Sequence, residues 1–172
     1  QQIQASREDI LQNMKESIVW VKYQVTGKDV DGSYFENSGS GSGVIYSNDD
    51  SKLLIFTNRH VVDCGFNDMS CWQRISEKAS IKTQDGEIYS VGKISFAPHD
   101  LDIAILEVDT KKAKDYKISA INEDIKEGDK VTAIGYPSYV ERVVEFSIAD
   151  GMVNKLTDLL MDDGFAFVSI ES

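Results

Sequence analysis

Segments in which apolar and polar residues alternate recur along most of the chain, and turn residues separate them. The pattern predicts β-strands at residues 18–25, 41–47, 52–57, 79–83, 87–96 and 102–108, and three more at 130–134, 143–154 and 165–171. Turn signals such as Asp31-Gly32 and Asp85-Gly86 lie between them. Six short strands joined by tight turns favour a closed antiparallel barrel. The chain is therefore predicted to be all-β, with a polar link at about residues 109–128.

The first residues follow a helical pattern instead. Ser6 is a typical N-cap, Asp9 follows three residues later, and Ile10, Leu11 and Met14 share one face. We therefore predict a short amphipathic helix before the first strand. It is expected to pack on its own barrel.

Composition and charge narrow the class of protein. The chain has 172 residues, of which 41% are hydrophobic, and a net charge of −11 from 18 Lys and Arg against 29 Asp and Glu. A chain of this length and hydrophobic content can form a buried core, in one domain or in two small ones. No apolar run approaches the roughly 18 to 20 residues of a membrane-spanning helix, so no membrane span is expected. The negative charge, without a basic cluster, argues against nucleic acid as a partner.

The two cysteines suggest a disulfide. Cys64 and Cys71 lie close together, and closing so short a loop contributes on the order of 2.5 kcal/mol in the chain-entropy model. Two reduced thiols are one alternative, and a zinc site with His60 and His99 is another, although its spacing fits no common zinc module. The chain begins at Gln1, as expected of a processed product or a trimmed chain. A disulfide and a processed start favour a secreted or periplasmic location.

A histidine and an aspartate are candidates for catalysis. His60 lies where an apolar strand ends, a position that can hold a general base rigidly beside a cleft. Asp102 stands at the mouth of the strand at 102–108, where it could accept a hydrogen bond from one imidazole nitrogen and leave the other free. A structural histidine and a solvated carboxylate are the alternatives. A pair of Cys64 and His60, with the thiol as the nucleophile, is another alternative. Arg59 is expected to be solvated.

Five segments, in this order, resemble the trypsin-like serine proteases, and among them the HtrA/Deg branch. They are GSGVI at 41–45, TNRHVV at 57–62, LDIAIL at 101–106, GDKVTAIGYP at 128–137 and SIADGMV at 147–153. The resemblance spans about residues 17–172.

The resemblance implies a chymotrypsin-like double β-barrel with the active site between the barrels. Residues 1–16 would form an N-terminal helical arm, 17–110 a complete first barrel and 119–172 the first half of the second. His60 would be the general base and Asp102 the residue that orients it. A polypeptide substrate is implied, with no metal and no organic cofactor, and the helical arm could mediate homo-oligomers.

One part of the family pattern is missing. The family's nucleophile lies in a Gly-x-Ser-Gly-Gly segment, and no such segment occurs in these 172 residues. The resemblance implies a serine just beyond residue 172, on a continuation or on a second chain, so that this chain alone would be inactive. The expected function is a serine-type endopeptidase. The alternatives are an inactive protease fold that binds peptides and a cysteine peptidase of the same fold.

Overall fold

The computed structural model describes residues 6–66, 71–98, 101–111, 114–121, 124–136, 147–157 and 167–171. Two helices and nine strands lie within these ranges. They are α1 (Arg7–Ser17), β1 (Ile18–Lys28), β2 (Tyr34–Asp49), β3 (Lys52–Thr57), α2 (Arg59–Val62), β4 (Gln73–Lys82), β5 (Ile88–Phe96), β6 (Ala104–Asp109), β7 (Lys130–Gly135), β8 (Ser147–Thr157) and β9 (Phe167–Glu171).

The first six strands form a closed barrel. Their order is β1-β2-β3-β6-β5-β4, every neighbouring pair is antiparallel, and β4 closes the barrel on β1. The prediction of an all-β protein with a short N-terminal helix and a complete first barrel is confirmed. The closed barrel is the one expected for the first half of a chymotrypsin-like fold.

The barrel core follows from the alternation in the sequence. Successive side chains of a strand point to opposite faces, so every second residue faces inward. On β6 the inward residues are Ala104, Leu106 and Val108, all fully buried, and on β3 they include Leu53 and Ile55. Burying a Leu, Ile or Val side chain contributes about 1.5 to 3 kcal/mol each, so these positions fix which face of each strand points inward.

Two strands begin earlier than predicted. β2 starts at Tyr34 rather than at residue 41, and β4 starts at Gln73 rather than at residue 79. The added part of β4 is exposed, and β2 runs through the serine and glycine repeat at 38–43. Both added parts pair along β1, so the long neighbouring strand, and not apolar alternation, extends them.

Helix α1 begins as predicted, with Ser6 as its N-cap in a reciprocal capping box with Asp9. At its other end, the buried Ser17 hydroxyl hydrogen-bonds the Met14 carbonyl and lies 2.6 Å from the Ser119 hydroxyl. This contact attaches the residues after the barrel to the junction of α1 and β1. Neither α1 nor α2 is long and apolar enough to cross a membrane, and they are the helices found among the described residues.

The remaining described strands form a separate sheet in the order β7-β8-β9, antiparallel throughout. This sheet meets the barrel at Ser42 of β2. The Tyr136 N–H donates to the Ser42 hydroxyl (2.6 Å), and that hydroxyl lies 3.2 Å from the Tyr136 carbonyl oxygen. A Cβ on Gly135 would stand 2.5 Å from the Ser42 hydroxyl oxygen, so only glycine permits this approach.

Candidate active site

The pairing of β3 with β6 brings His60 and Asp102 to the same edge of the barrel. The last residue of β3, Thr57, pairs with the first residue of β6, Ala104. His60 comes three residues after Thr57, on α2, and Asp102 comes two residues before Ala104. In an antiparallel pair these two chain segments leave the sheet side by side. The register therefore places the imidazole next to the carboxylate although 42 residues separate them in sequence.

Two hydrogen bonds join the pair. The His60 ring nitrogen Nδ1 lies 2.7 Å from Asp102 Oδ2, and the His60 backbone N–H donates to Oδ1 at 2.8 Å. An ionised carboxylate can only accept, so Nδ1 carries the proton and Nε2 is the nitrogen that can take one up. The His60 side chain is 56% exposed, so it is accessible to a reacting group.

The environment of Asp102 keeps it ionised. Its partial burial raises the pKa of the carboxyl, but several interactions with neighbours outweigh this effect. They are the hydrogen bonds from the backbone and ring of His60, the Coulomb attraction to His60 and a hydrogen bond from Asn58. Together they hold the pKa of Asp102 below its usual range. Near neutral pH it is therefore a fixed negative charge beside the imidazole.

The helix that carries His60 is anchored by a buried carboxylate. The Asp63 side chain, directly after α2, is 2% exposed. It accepts a hydrogen bond from Arg59 Nε (2.8 Å), a second from the Arg74 guanidinium and a third from the Gly65 N–H (3.1 Å). The expectation that Arg59 is solvated is wrong, because its side chain is 21% exposed and pairs with Asp63. Its guanidinium also lies over the rings of Phe66 and Phe96, whose centroids are 4.8 and 4.7 Å away.

A glycine on β2 allows α2 to lie against the barrel. A Cβ on Gly41 would stand 2.7 Å from a methyl carbon of Val61, the residue that follows His60. Val61 is itself buried in the barrel core. The absence of a side chain at this position therefore sets how closely α2 approaches β2.

The structure joins Cys64 to Cys71 in a disulfide, with the two Cα atoms 5.8 Å apart. The loop that begins directly after α2 is thereby closed onto the start of β4. With both sulfur atoms in this bond, neither cysteine is a thiolate that could bind zinc or act as the partner of His60. His99, the fourth residue of the zinc alternative, lies outside the described residues.

A small cavity of about 80 Å³ opens beside His60, between β1, β2 and α2. Tyr23, Asn37 and Ser38 contribute to its walls. The Tyr23 hydroxyl donates to Glu77 at 2.9 Å, and burial together with this bond raises the pKa of Tyr23, so the phenol stays neutral. The cavity therefore presents mainly uncharged groups next to the imidazole.

The barrel edge at this site also touches the second sheet. The Thr57 hydroxyl donates to the Ser42 carbonyl at 2.7 Å, while the Ser42 hydroxyl holds the backbone of Tyr136. Ser42 thus connects the end of β3, which leads into His60, with the end of β7. The serine and glycine repeat that suggested only the start of a strand supplies this contact.

Several residues of the site carry no individual signal in the sequence. Asn58, Asp63 and Arg74 are common polar residues at unremarkable positions. Only the fold brings Asn58 to Asp102, and Arg74 to the carboxylate of Asp63 that anchors the helix of His60. The available signal for Asn58 was a preferred N-cap residue two positions before His60.

A closed six-stranded antiparallel barrel with a histidine and an aspartate joined at its edge is the architecture expected of the trypsin class. The family model described as trypsin-like peptidase domain matches residues 41–171, and the chain belongs to this family. Over 96 residues it is 32% identical to the serine protease Do-like HtrB of Bacillus subtilis (strain 168). The match covers 56% of this chain and 18% of that protein. The resemblance to trypsin-like proteases of the HtrA branch is thereby confirmed.

Proposed function

We propose that this protein is a serine-type endopeptidase in which His60 is the general base and Asp102 orients it. The observation that carries the proposal is the 2.7 Å contact between His60 Nδ1 and Asp102 Oδ2 on an exposed imidazole. A lone surface histidine would not need a carboxylate held in place by the histidine's own backbone N–H. The pair instead has the geometry of a base whose tautomer is fixed.

The nucleophile is proposed to be a serine in a Gly-x-Ser-Gly-Gly segment beyond residue 172. His60 Nε2 accepts the proton of the serine hydroxyl as its oxygen attacks the peptide carbonyl, and the resulting imidazolium is stabilised by Asp102. Backbone N–H groups of the same following segment hold the oxyanion. His60 then returns the proton to the leaving amine, and water hydrolyses the acyl-enzyme by the same route.

The proposed organisation follows from this mechanism. Residues 17–110 form the first barrel, residues 119–172 begin the second, and the substrate binds between them. The second half lies on a continuation of the chain or on a second chain made by cleavage. The Cys64–Cys71 disulfide supports an oxidising location, either secreted or periplasmic. We also propose that the protein forms homo-oligomers through α1, because this helix exposes the apolar side chains of Ile10 and Met14.

The test uses the protein expressed from its full coding sequence. The parent should react with a fluorophosphonate probe and cleave a casein substrate. His60→Ala should lower kcat by about 10⁶-fold and Asp102→Asn by about 10⁴-fold, as in other triads. The matched control is His99→Ala, since His60 and His99 are the two histidines of the sequence. The control should retain the parent rate.

Three outcomes would overturn the proposal. Parent rates in both His60→Ala and Asp102→Asn would exclude these residues from catalysis. A parent that binds extended peptides but neither cleaves them nor reacts with the probe would be an inactive protease fold. Activity that is lost with iodoacetamide and not with the fluorophosphonate would identify a cysteine nucleophile.

A further inference from the structure

A third side chain holds the carboxylate of the His60–Asp102 pair. The Asn58 amide nitrogen Nδ2 lies 3.2 Å from Asp102 Oδ2 and 3.2 Å from the Asp102 carbonyl oxygen. Both atoms are acceptors, so the amide must present its NH₂ group to them and its oxygen elsewhere. Asn58 therefore bonds the side chain and the backbone of Asp102 at once.

Asn58 occupies a position where its side chain would ordinarily bond its own helix and not Asp102. Asn58 is the N-cap of α2, with extended backbone angles (φ −73°, ψ 142°). Asparagine is a favoured N-cap because its side-chain oxygen accepts an N–H from the first turn. Here no side-chain cap bond is made. The side chain is directed across the site to Asp102 instead of to its own helix.

The Asp102 carboxylate accepts hydrogen bonds from His60 and from Asn58. Oδ1 accepts the His60 backbone N–H, and Oδ2 accepts both the His60 ring and the Asn58 amide. Asp102 precedes β6 and is 38% exposed, so the ladder of the sheet does not fix it. Among the described residues, the other bonds that oppose rotation of the carboxylate are the two from His60, and one of these changes whenever the imidazole gains or loses a proton.

The geometry points to Asn58 as a positioning residue for the reaction, one that holds the Asp102 carboxylate in the plane of the His60 ring. This inference rests on the proposed function, because it assigns Asn58 a part in the same proton transfer. Asn58 does not touch the reacting atoms and acts through Asp102.

The variants Asn58→Ala and Asn58→Asp, made in the protein expressed from its full coding sequence, test this role. Loss of a hydrogen bond to a charged group should lower kcat about tenfold in Asn58→Ala, with KM changed less than about twofold. Asn58→Asp replaces the donor with a second carboxylate, so its kcat should fall further. Because that charge favours the protonated imidazole, the acid limb of its pH profile should move to higher pH.

Asn48→Ala is the matched control. The Asn48 amide also donates to two carbonyl oxygens, those of Lys114 (2.7 Å) and Tyr116 (3.3 Å), away from His60. It should alter the melting temperature and leave kcat and the pH profile unchanged. In an Asp102→Asn background, Asn58→Ala should change the residual rate less than about twofold, since its target carboxylate is gone.

An NMR measurement separates this inference from the proposed function. These 172 residues contain two histidines, and His60→Gln and His99→Gln assign their signals in the spectrum of ¹⁵N-labelled imidazole. In Asn58→Ala the His60 Nδ1–H should exchange with solvent about tenfold faster than in the parent and in Asn48→Ala. Unchanged exchange overturns the role of Asn58, as does a parent kcat in Asn58→Ala. A parent without peptidase activity overturns the proposed function, and the exchange rates then decide alone whether Asn58 holds Asp102.

Discussion

Replacing Asp63 with alanine should destabilise the barrel more than any change to an exposed carboxylate. Asp63 is 2% exposed and accepts three hydrogen bonds, two of them from the guanidinium groups of Arg59 and Arg74. Removing one partner of a buried ion pair costs about 3 to 5 kcal/mol, because the remaining charge has lost its partner. Arg59 and Arg74 keep 21% and 36% exposure and can be partly rehydrated. We therefore expect Asp63→Ala to lower the free energy of unfolding by about 3 kcal/mol, the lower end of this range.

Urea unfolding at neutral pH measures this effect, with tryptophan fluorescence as the probe, to which Trp20 in β1 and Trp72 before β4 contribute. The free energy of unfolding should fall by about 3 kcal/mol at unchanged m-value, and the melting temperature by about 6 to 12 °C. Asp115→Ala, at an exposed position after the barrel, is the control and should stay within about 0.5 kcal/mol of the parent. A loss below about 1 kcal/mol in Asp63→Ala would refute the view that the arginines depend on this carboxylate.

Three further predictions concern the surroundings of the site. Gly41→Ala forces a methyl group against Val61 and should destabilise the protein by about 1 to 3 kcal/mol in chemical unfolding, and adding Val61→Ala should restore part of the loss. Because the folded-state pKa of Asp102 is lowered, its contribution to stability is present above about pH 4 and is lost as the pH falls through the folded-state pKa, so the stabilities of parent and Asp102→Asn should approach each other as the pH is lowered below about 4. Replacing Cys64 and Cys71 with serine should lower the free energy of unfolding by about 2.5 kcal/mol, whereas an equal stability in thiol-free and thiol-containing buffer would argue against the bond.

The sequence predicts those parts of the fold in which one face of a strand is buried. Residues 52–57 alternate cleanly between buried and partly exposed positions, and the predicted strand coincides with β3. The first part of β4 is exposed on both faces, so its strand character comes from pairing with β1 and leaves no alternation to detect. The start of β6 differs for a related reason. Asp102 fits the apolar and polar alternation that continues into β6, so the sequence predicted it as part of the strand. In the structure the chain bends at Asp102, and strand pairing begins only at Ala104.

The site was predictable only where a residue type implies a role. The sequence predicted His60, after one apolar strand, and Asp102, before another, as candidate site residues. The structure places His60 Nδ1 2.7 Å from Asp102 Oδ2. Asn58, Asp63 and Arg74 could not be found in this way, because their parts depend on contacts between segments that are distant in sequence. Arg59 was misjudged for the same reason, since its carboxylate partner four residues later and the two aromatic rings beneath it become neighbours only when α2 forms.

The contact between His60 and Asp102 also depends on the correct register of β3 and β6. Each residue advances about 3.4 Å along a strand, so a slip of two residues keeps every buried side chain inside yet displaces the two segments by about 7 Å. At that separation the imidazole and the carboxylate no longer meet. A barrel that has collapsed in the wrong register would bury its apolar residues and still keep His60 and Asp102 apart. The contact between the two side chains would therefore form only in chains in which Thr57 pairs with Ala104.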